Sequence, residues 1–134
     1  MLLSLLSKEE KRYFIDLLNR VVLVDGKASE TEKKVFNRLK YELGENFSTY
    51  KLSTLSIDKL IDYFAKKTES TKRLVFMNIV SLTLNDELYS VETHMLIEKI
   101  QEAFALSEKN KKELMKLVYA ERDLREKAKR IISE

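Results

Sequence analysis

The stretch Val24-Asp25-Gly26-Lys27-Ala28-Ser29-Glu30-Thr31-Glu32 decides the fold class. It joins two amphipathic segments and carries the marks of one helix ending and another beginning. Gly26 stands where a helix stop wants a left-handed residue without Cβ strain. Ser29 and Glu32, three residues apart, form a capping box, in which the hydroxyl accepts from a first-turn amide and the carboxylate reaches back. Upstream, Phe14, Leu17, Leu18, Val21 and Val22 recur at helical spacing, with Lys11, Arg12, Asp16 and Arg20 on the other side. Downstream, Val35, Phe36, Leu39 and Leu43 supply a second stripe, closed by Gly44. The unit reads as helix, turn, helix.

The same signals recur along the chain. Ser7 and Glu10 make another capping box, which opens the first helix at Lys8 and predicts its run to about Val24. Leu2, Leu3, Leu5 and Leu6 precede it, either stapled onto the helix, docked elsewhere, or exposed as an oligomer contact. Residues 45–53 lack a helical period and read as a loop pinned by Phe47, Tyr50 and Leu52. A short helix follows from Ser56 to Lys67, with Leu60, Ile61 and Phe64 inward. Thr68-Glu69-Ser70-Thr71 reads as a break. The next helix carries Leu74, Val75, Phe76, Ile79 and Leu82 into Asn85-Asp86-Glu87. Ser90 caps a helix with Leu96, Ile97, Ile100 and Phe104 as its stripe. Ser107 caps the last segment, where Leu114, Leu117, Val118, Leu124, Ala128 and Ile131 lie near heptad spacing. That segment is one long helix, or two with a break near Ala120-Glu121. The expectation is an all-α fold of about six or seven helices in one domain over residues 1–134.

Composition agrees with this. A chain of 134 residues has the size of one domain and can bury about two-thirds of its unfolded surface. It contains no proline and two glycines, sparse punctuation for a β-rich fold. With no cysteine, disulfides, thiolate metal sites and cysteine nucleophiles are all excluded, in keeping with a reducing compartment. The opening Met1-Leu2-Leu3-Ser4-Leu5-Leu6 lacks the basic region and the apolar length of a signal peptide. No window reaches the roughly 20 apolar residues of a membrane span. The expected location is cytoplasmic. The net charge is +3, and residues 1–107 are balanced, so the basic excess lies in 108–134, with nine basic against six acidic residues. Acids interrupt every basic group there, which favours a solvated helix face with i,i+4 pairs over a nucleic-acid surface.

Setting Asp86 on Asp25 aligns Ser90 with Ser29, Leu96 and Ile97 with Val35 and Phe36, and Ile100 with Leu39. Upstream, the same offset puts Val75 on Phe14, Ile79 on Leu18 and Leu82 on Val21. Two helix–turn–helix units thus share a pattern around an acidic turn, and such units should pack as a pseudo-symmetric pair.

An apolar helix running into Asp-Gly, then Ser, then Glu three later, occurring twice, resembles the TerB-like family of bacterial tellurite-resistance proteins. Residues 24–32 match the family's first box, and Asn85-Asp86-Glu87-Leu88-Tyr89-Ser90-Val91-Glu92-Thr93 match the second in part. The segment from Leu96 to Ser107 is similar to the helix that follows that box. The resemblance covers roughly residues 14–107 and leaves 108–134 as a C-terminal helical segment. It implies an all-helical, cytoplasmic, bacterial protein of the tellurite and stress response, non-catalytic, with acidic positions associated with a divalent metal ion. Matched residue by residue, these are Asp25 and Glu32 in the first box and Asp86 in the second. Glu87 stands where the family has Gly and Thr93 where it has Glu, with Glu92 one position off as a substitute.

The residues themselves account for much of the first box without a ligand. Asp25 alone lacks a capping role, because a carboxylate at a helix C-terminus faces the wrong end of the dipole and wants a partner. Amides of the next helix, a lysine or a metal would each serve, and a protein group is favoured over a metal. An EF-hand is excluded, since its first and third ligand positions would fall on Val21 and Leu23. His94, the single histidine, lies off the apolar stripe with Glu98 one turn on and reads as a surface residue. No phosphate loop, nucleophile elbow or histidine–base pair appears, so no catalytic residue is assigned and no cofactor is required. The six Tyr and six Phe read as packing. The alternative to the TerB-like reading is a helical adaptor. It would bind a protein partner, ahead of nucleic acid or an anionic membrane, through Lys127 and Arg130 of the basic C-terminal helix and the apolar N-terminus. A homodimer on Leu2, Leu3, Leu5 and Leu6 is the third expectation.

Overall fold

A computed structural model of the protein describes residues 2–22, 55–83 and 90–133. Among these, all regular structure is helical: a 3-10 turn at Leu3–Leu5, then α1 (Lys8–Val22), α2 (Ile57–Ala65), α3 (Glu69–Thr83), α4 (Val91–Ala103) and α5 (Glu108–Ser133). The expected helix after Ser29, the loop at 45–53 and both acidic turns lie outside the described residues.

Capping chemistry sets most of the boundaries. The Glu10 amide donates to Ser7 Oγ at 3.1 Å and the Ser7 amide donates to Glu10 Oε1 at 2.8 Å, the reciprocal box expected of that sequence. Ser56, Ser90 and Ser107 accept from the amides of Lys59, Thr93 and Asn110 in the same way. Each such cap is worth about 1 kcal/mol. Thr68 corrects the expected break at 68–71. Its Oγ1 accepts from the Thr71 amide at 3.3 Å, so α3 already begins at Glu69 and only a short connection separates it from α2. A threonine cap, not a loop, was written there.

Helix α4 ends in a Schellman closure. The Leu106 amide donates to the Gln101 carbonyl and the Ala105 amide to that of Glu102. Ala105 takes φ 53° at the position that glycine would occupy without strain. A Cβ in that conformation costs roughly 1 kcal/mol. Buried Leu106 offsets it by packing under the turn.

Each of α1, α2, α3 and α4 packs against the other three, and α5 lies along α3. Phe14, Leu17, Leu18 and Val21 of α1 have no solvent exposure, and Leu60, Phe64, Val75, Ile79, Ile100 and Phe104 join them in one core. Of the N-terminal leucines, Leu3 and Leu6 enter this core while Leu2 and Leu5 face water. Asp16, expected on the polar side of α1, is instead only 4 % exposed. Neighbours on three sides widen the buried arc beyond the apolar stripe. Asp16 keeps a polar or charged contact there, as a buried carboxylate must.

Helix α3 sits among all the others and is buried well beyond one face, taking in Phe76, Val80, Asn78 and Thr83. Its polar members satisfy themselves locally. Asn78 Nδ2 donates to the Leu74 carbonyl at 2.9 Å, and Thr83 Oγ1 donates to that of Ile79 at 2.7 Å. Leu74 and Leu82, expected inward, are partly buried against the core. The last segment is one unbroken helix of 26 residues, with no interruption at Ala120-Glu121. No described helix is long and apolar enough to cross a membrane.

Candidate functional site

Three of the four acidic candidates, Asp25, Glu32 and Asp86, lie outside the described residues. Glu92 occupies the first turn of α4, exposed, two residues past the Ser90 cap. A carboxylate there is favoured by the positive end of the helix dipole. His94 Nε2 meets Glu98 Oε1 at 3.0 Å on the exposed flank of the same helix, as the spacing predicts. Among the described residues, no three His, Cys, Asp or Glu side chains gather in a metal-binding group. The described residues therefore do not supply a donor set for the divalent ion that the resemblance implies.

The C-terminal helix is two-faced. Val118 is buried against the core, with Leu114 and Met115 partly buried beside it. On the other side Leu117, Leu124 and Ile131 are 60 %, 69 % and 61 % exposed, and no described residue after Val118 is buried. Spaced by seven, they lie nearly above one another, since 3.6 residues make a turn. Lys116, Lys127 and Arg130 flank that stripe. Arg122–Asp123, Arg125–Glu121 and Lys129–Glu126 form ion pairs along the helix at 3.3, 3.5 and 3.4 Å. Lys127 and Arg130 make none among the described residues, and with Asp123 and Glu126 they line a shallow groove. Of the expected i,i+4 pairs one is present, Arg125–Glu121, and the two interaction candidates are among the α5 cations that no ion pair between described residues uses.

A second feature lies between α1 and α2. Tyr13 and Tyr63 stack with ring centroids 3.7 Å apart and planes 7° from parallel. Tyr63 also meets Phe64 edge-on at 5.0 Å. Lys67 Nζ lies 4.6 Å from the Tyr63 ring centre and 3.7 Å from Glu10 Oε2. Glu10 thus caps α1 with one oxygen and ties it to the end of α2 with the other. The Tyr63 hydroxyl oxygen is shut off from water without a well-formed hydrogen bond. Burial pushes its pKa up, with Lys67 opposing and Glu9 adding to the rise. For Lys67, burial works against the charge, but Tyr63, Glu10 and Glu9 outweigh it and its pKa is raised.

Tyr13, Tyr63 and Lys67 line an open cleft of about 530 Å³, joined among the described residues by Leu55, Lys59, Asp62 and Lys66. The aromatic residues were expected only to pack, and the cleft was not anticipated. A signal for it exists in Tyr13-Phe14 and Tyr63-Phe64. In each pair the phenylalanine points into the core and the tyrosine is left at its rim, on two helices that touch.

No protein-family model, curated protein or solved structure matches the chain.

Proposed function

We propose that the protein is a non-catalytic helical interaction module that docks a protein partner through α5. The observation that carries this is the exposed Leu117–Leu124–Ile131 stripe beside Lys127 and Arg130, cations without an ion pair among the described residues. Burying a leucine or isoleucine is worth about 1.5–3 kcal/mol, so a partner helix laid on the stripe gains several kcal/mol before association costs. The basic flank adds electrostatic steering and favours a partner with an acidic rim. The same net positive charge disfavours a second copy of α5 in that place.

The TerB-like resemblance supplies the setting: a cytoplasmic bacterial stress-response protein with two pseudo-repeated helix–turn–helix units. In its support, Phe14 and Val75, and Leu18 and Ile79, are matched pairs in the core, and Ser90 caps its helix. The divalent ion belongs to this proposal on the strength of Asp25, Glu32 and Asp86 in the sequence. Amide shifts of Asp25 and Asp86 on titration with Ca²⁺, Mg²⁺, Mn²⁺ and Zn²⁺ test that part. Absence of movement at millimolar metal removes it.

For the docking surface, the test is the pair Leu124→Glu and Ile131→Glu in the full chain. An unchanged melt with loss of the partner complex supports the reading. Retention of the complex, or collapse of the fold, contradicts it. Light scattering on the unmodified chain and on a chain lacking residues 1–6 separates partner docking from a homodimer on Leu2 and Leu5.

A further inference from the structure

The cleft between α1 and α2 combines two kinds of recognition surface that the fold itself does not need together. Its wall is aromatic, the Tyr13–Tyr63 stack, with Leu55 as a further apolar lining residue. Its rim is cationic. Lys59 on α2 and Lys66 at its C-cap stand seven residues apart, on either side of Tyr63 in sequence, both exposed and neither held in an ion pair among the described residues. Lys67 adds a third ammonium already anchored over the ring. Glu10 answers Lys67, so among the described lining residues Lys59 and Lys66 face one carboxylate, Asp62. Ammonium groups only donate, so the lining offers hydrogen-bond donors in excess of acceptors. Its volume falls within the range of small-molecule pockets, about 300–1,000 Å³.

We propose that this cleft binds a small organic anion in which a flat apolar ring carries a phosphate or carboxylate group. The ring lies against the exposed part of the tyrosine wall, where offset or edge-on aromatic contact is favoured. The anionic group is taken by Lys59 or Lys66, whose flexible stems carry the ammonium inward from either end of the wall. A bare anion gains only the second contact and a neutral ring only the first. The site is separate from the α5 stripe, and neither proposal depends on the other.

The experiment is an NMR titration of the full chain with four probes: phenyl phosphate, benzoate, inorganic phosphate and phenol. The proposal expects saturable shifts of Tyr13, Tyr63, Lys59 and Lys66 with phenyl phosphate, benzoate or both, the two arms telling which anion is preferred. The better of these should bind about tenfold more tightly than inorganic phosphate, which lacks the aromatic contact, and than phenol, which lacks the charge-assisted one. Lys59→Gln combined with Lys66→Gln should weaken that binding about tenfold or more with an unchanged melt, because both side chains are exposed. Lys116→Gln on α5 should leave it unchanged. Shifts that do not saturate at millimolar probe overturn the proposal. So do equal affinities for phenyl phosphate and inorganic phosphate, or binding indifferent to the double substitution.

Discussion

In α1 the apolar positions Phe14, Leu17, Leu18 and Val21 are sealed by α2, α3 and α4, whereas in α5 the equally regular Leu117, Leu124 and Ile131 face water. Both helices are capped by serine, both are rich in Lys, Arg and Glu, and both carry their stripe at helical spacing. What separates them is the number of neighbours. Helix α1 is enclosed and even draws Asp16 inside, while α5 rests on α3 through one narrow face centred on Val118. Amphipathic periodicity thus dictates a helix and names the residues that want cover. It does not say whether the cover comes from the same chain.

The comparison breaks first at the core. Phe64→Ala, or Phe14→Ala, should cost about 3–5 kcal/mol in urea unfolding, the sum of lost transfer energy and a cavity. Leu124→Ala should fall within about 0.5 kcal/mol of the parent, because its site is already wet. A large loss from Leu124→Ala would erase the distinction between the two helices.

Within α5 the contrast can be drawn one residue apart. Val118→Ala removes two buried methyl groups and should destabilise by about 2 kcal/mol, while neighbouring Leu117→Ala should be near neutral. Equal effects would mean that the helix packs on a different face. Smaller again are the caps. Ser7→Ala and Ser107→Ala should each cost about 1 kcal/mol, measured as a shift in the denaturant midpoint at constant slope.

The smallest effects are in the pH profile. Lys72 of α3 is buried and meets Glu69 Oε1 at 2.7 Å, and this hydrogen bond, with the charges of Lys72 and Arg73, lowers the Glu69 pKa. A carboxylate whose pKa is depressed by folding stabilises above its unfolded value and ceases to do so as the pH falls through the folded one. Glu69→Gln should therefore flatten the acid limb of melting temperature against pH. Tyr63 and Lys67 act on the opposite limb. Both pKa values are raised, so their contribution is full below about pH 10 and fades as the pH rises through the folded values. Tyr63→Phe should make that alkaline fall shallower.

Much of this architecture was legible in the chain. The serines at 7, 56, 90 and 107 mark helix starts because their oxygens satisfy amides that the helix leaves orphaned. The stripes of α1, α2 and α4 name their large core residues, although in α1 and α4 the buried arc runs past the stripe to Asp16, Thr93 and Gln101. Helix α3 was read less well, since a helix buried on several sides has no single stripe to read. The start of α3 was misplaced because threonine serves caps and loops by the same hydrogen bond. The tyrosine cleft was missed for a different reason. Tyr13 and Tyr63 are 50 residues apart in sequence, and only the packing of α1 on α2 brings their rings together.

The central claim is that the α5 stripe is a surface for a partner and not an unfinished part of the core. A photo-crosslinking residue placed at Leu124 in the full chain, in the cell that makes it, tests this most directly, with the same residue at Lys129 as control. The account predicts a discrete adduct with another polypeptide from position 124, absent from position 129 and lost when Lys127 and Arg130 are changed to Glu. Adducts confined to this chain, or identical from both positions, would contradict it.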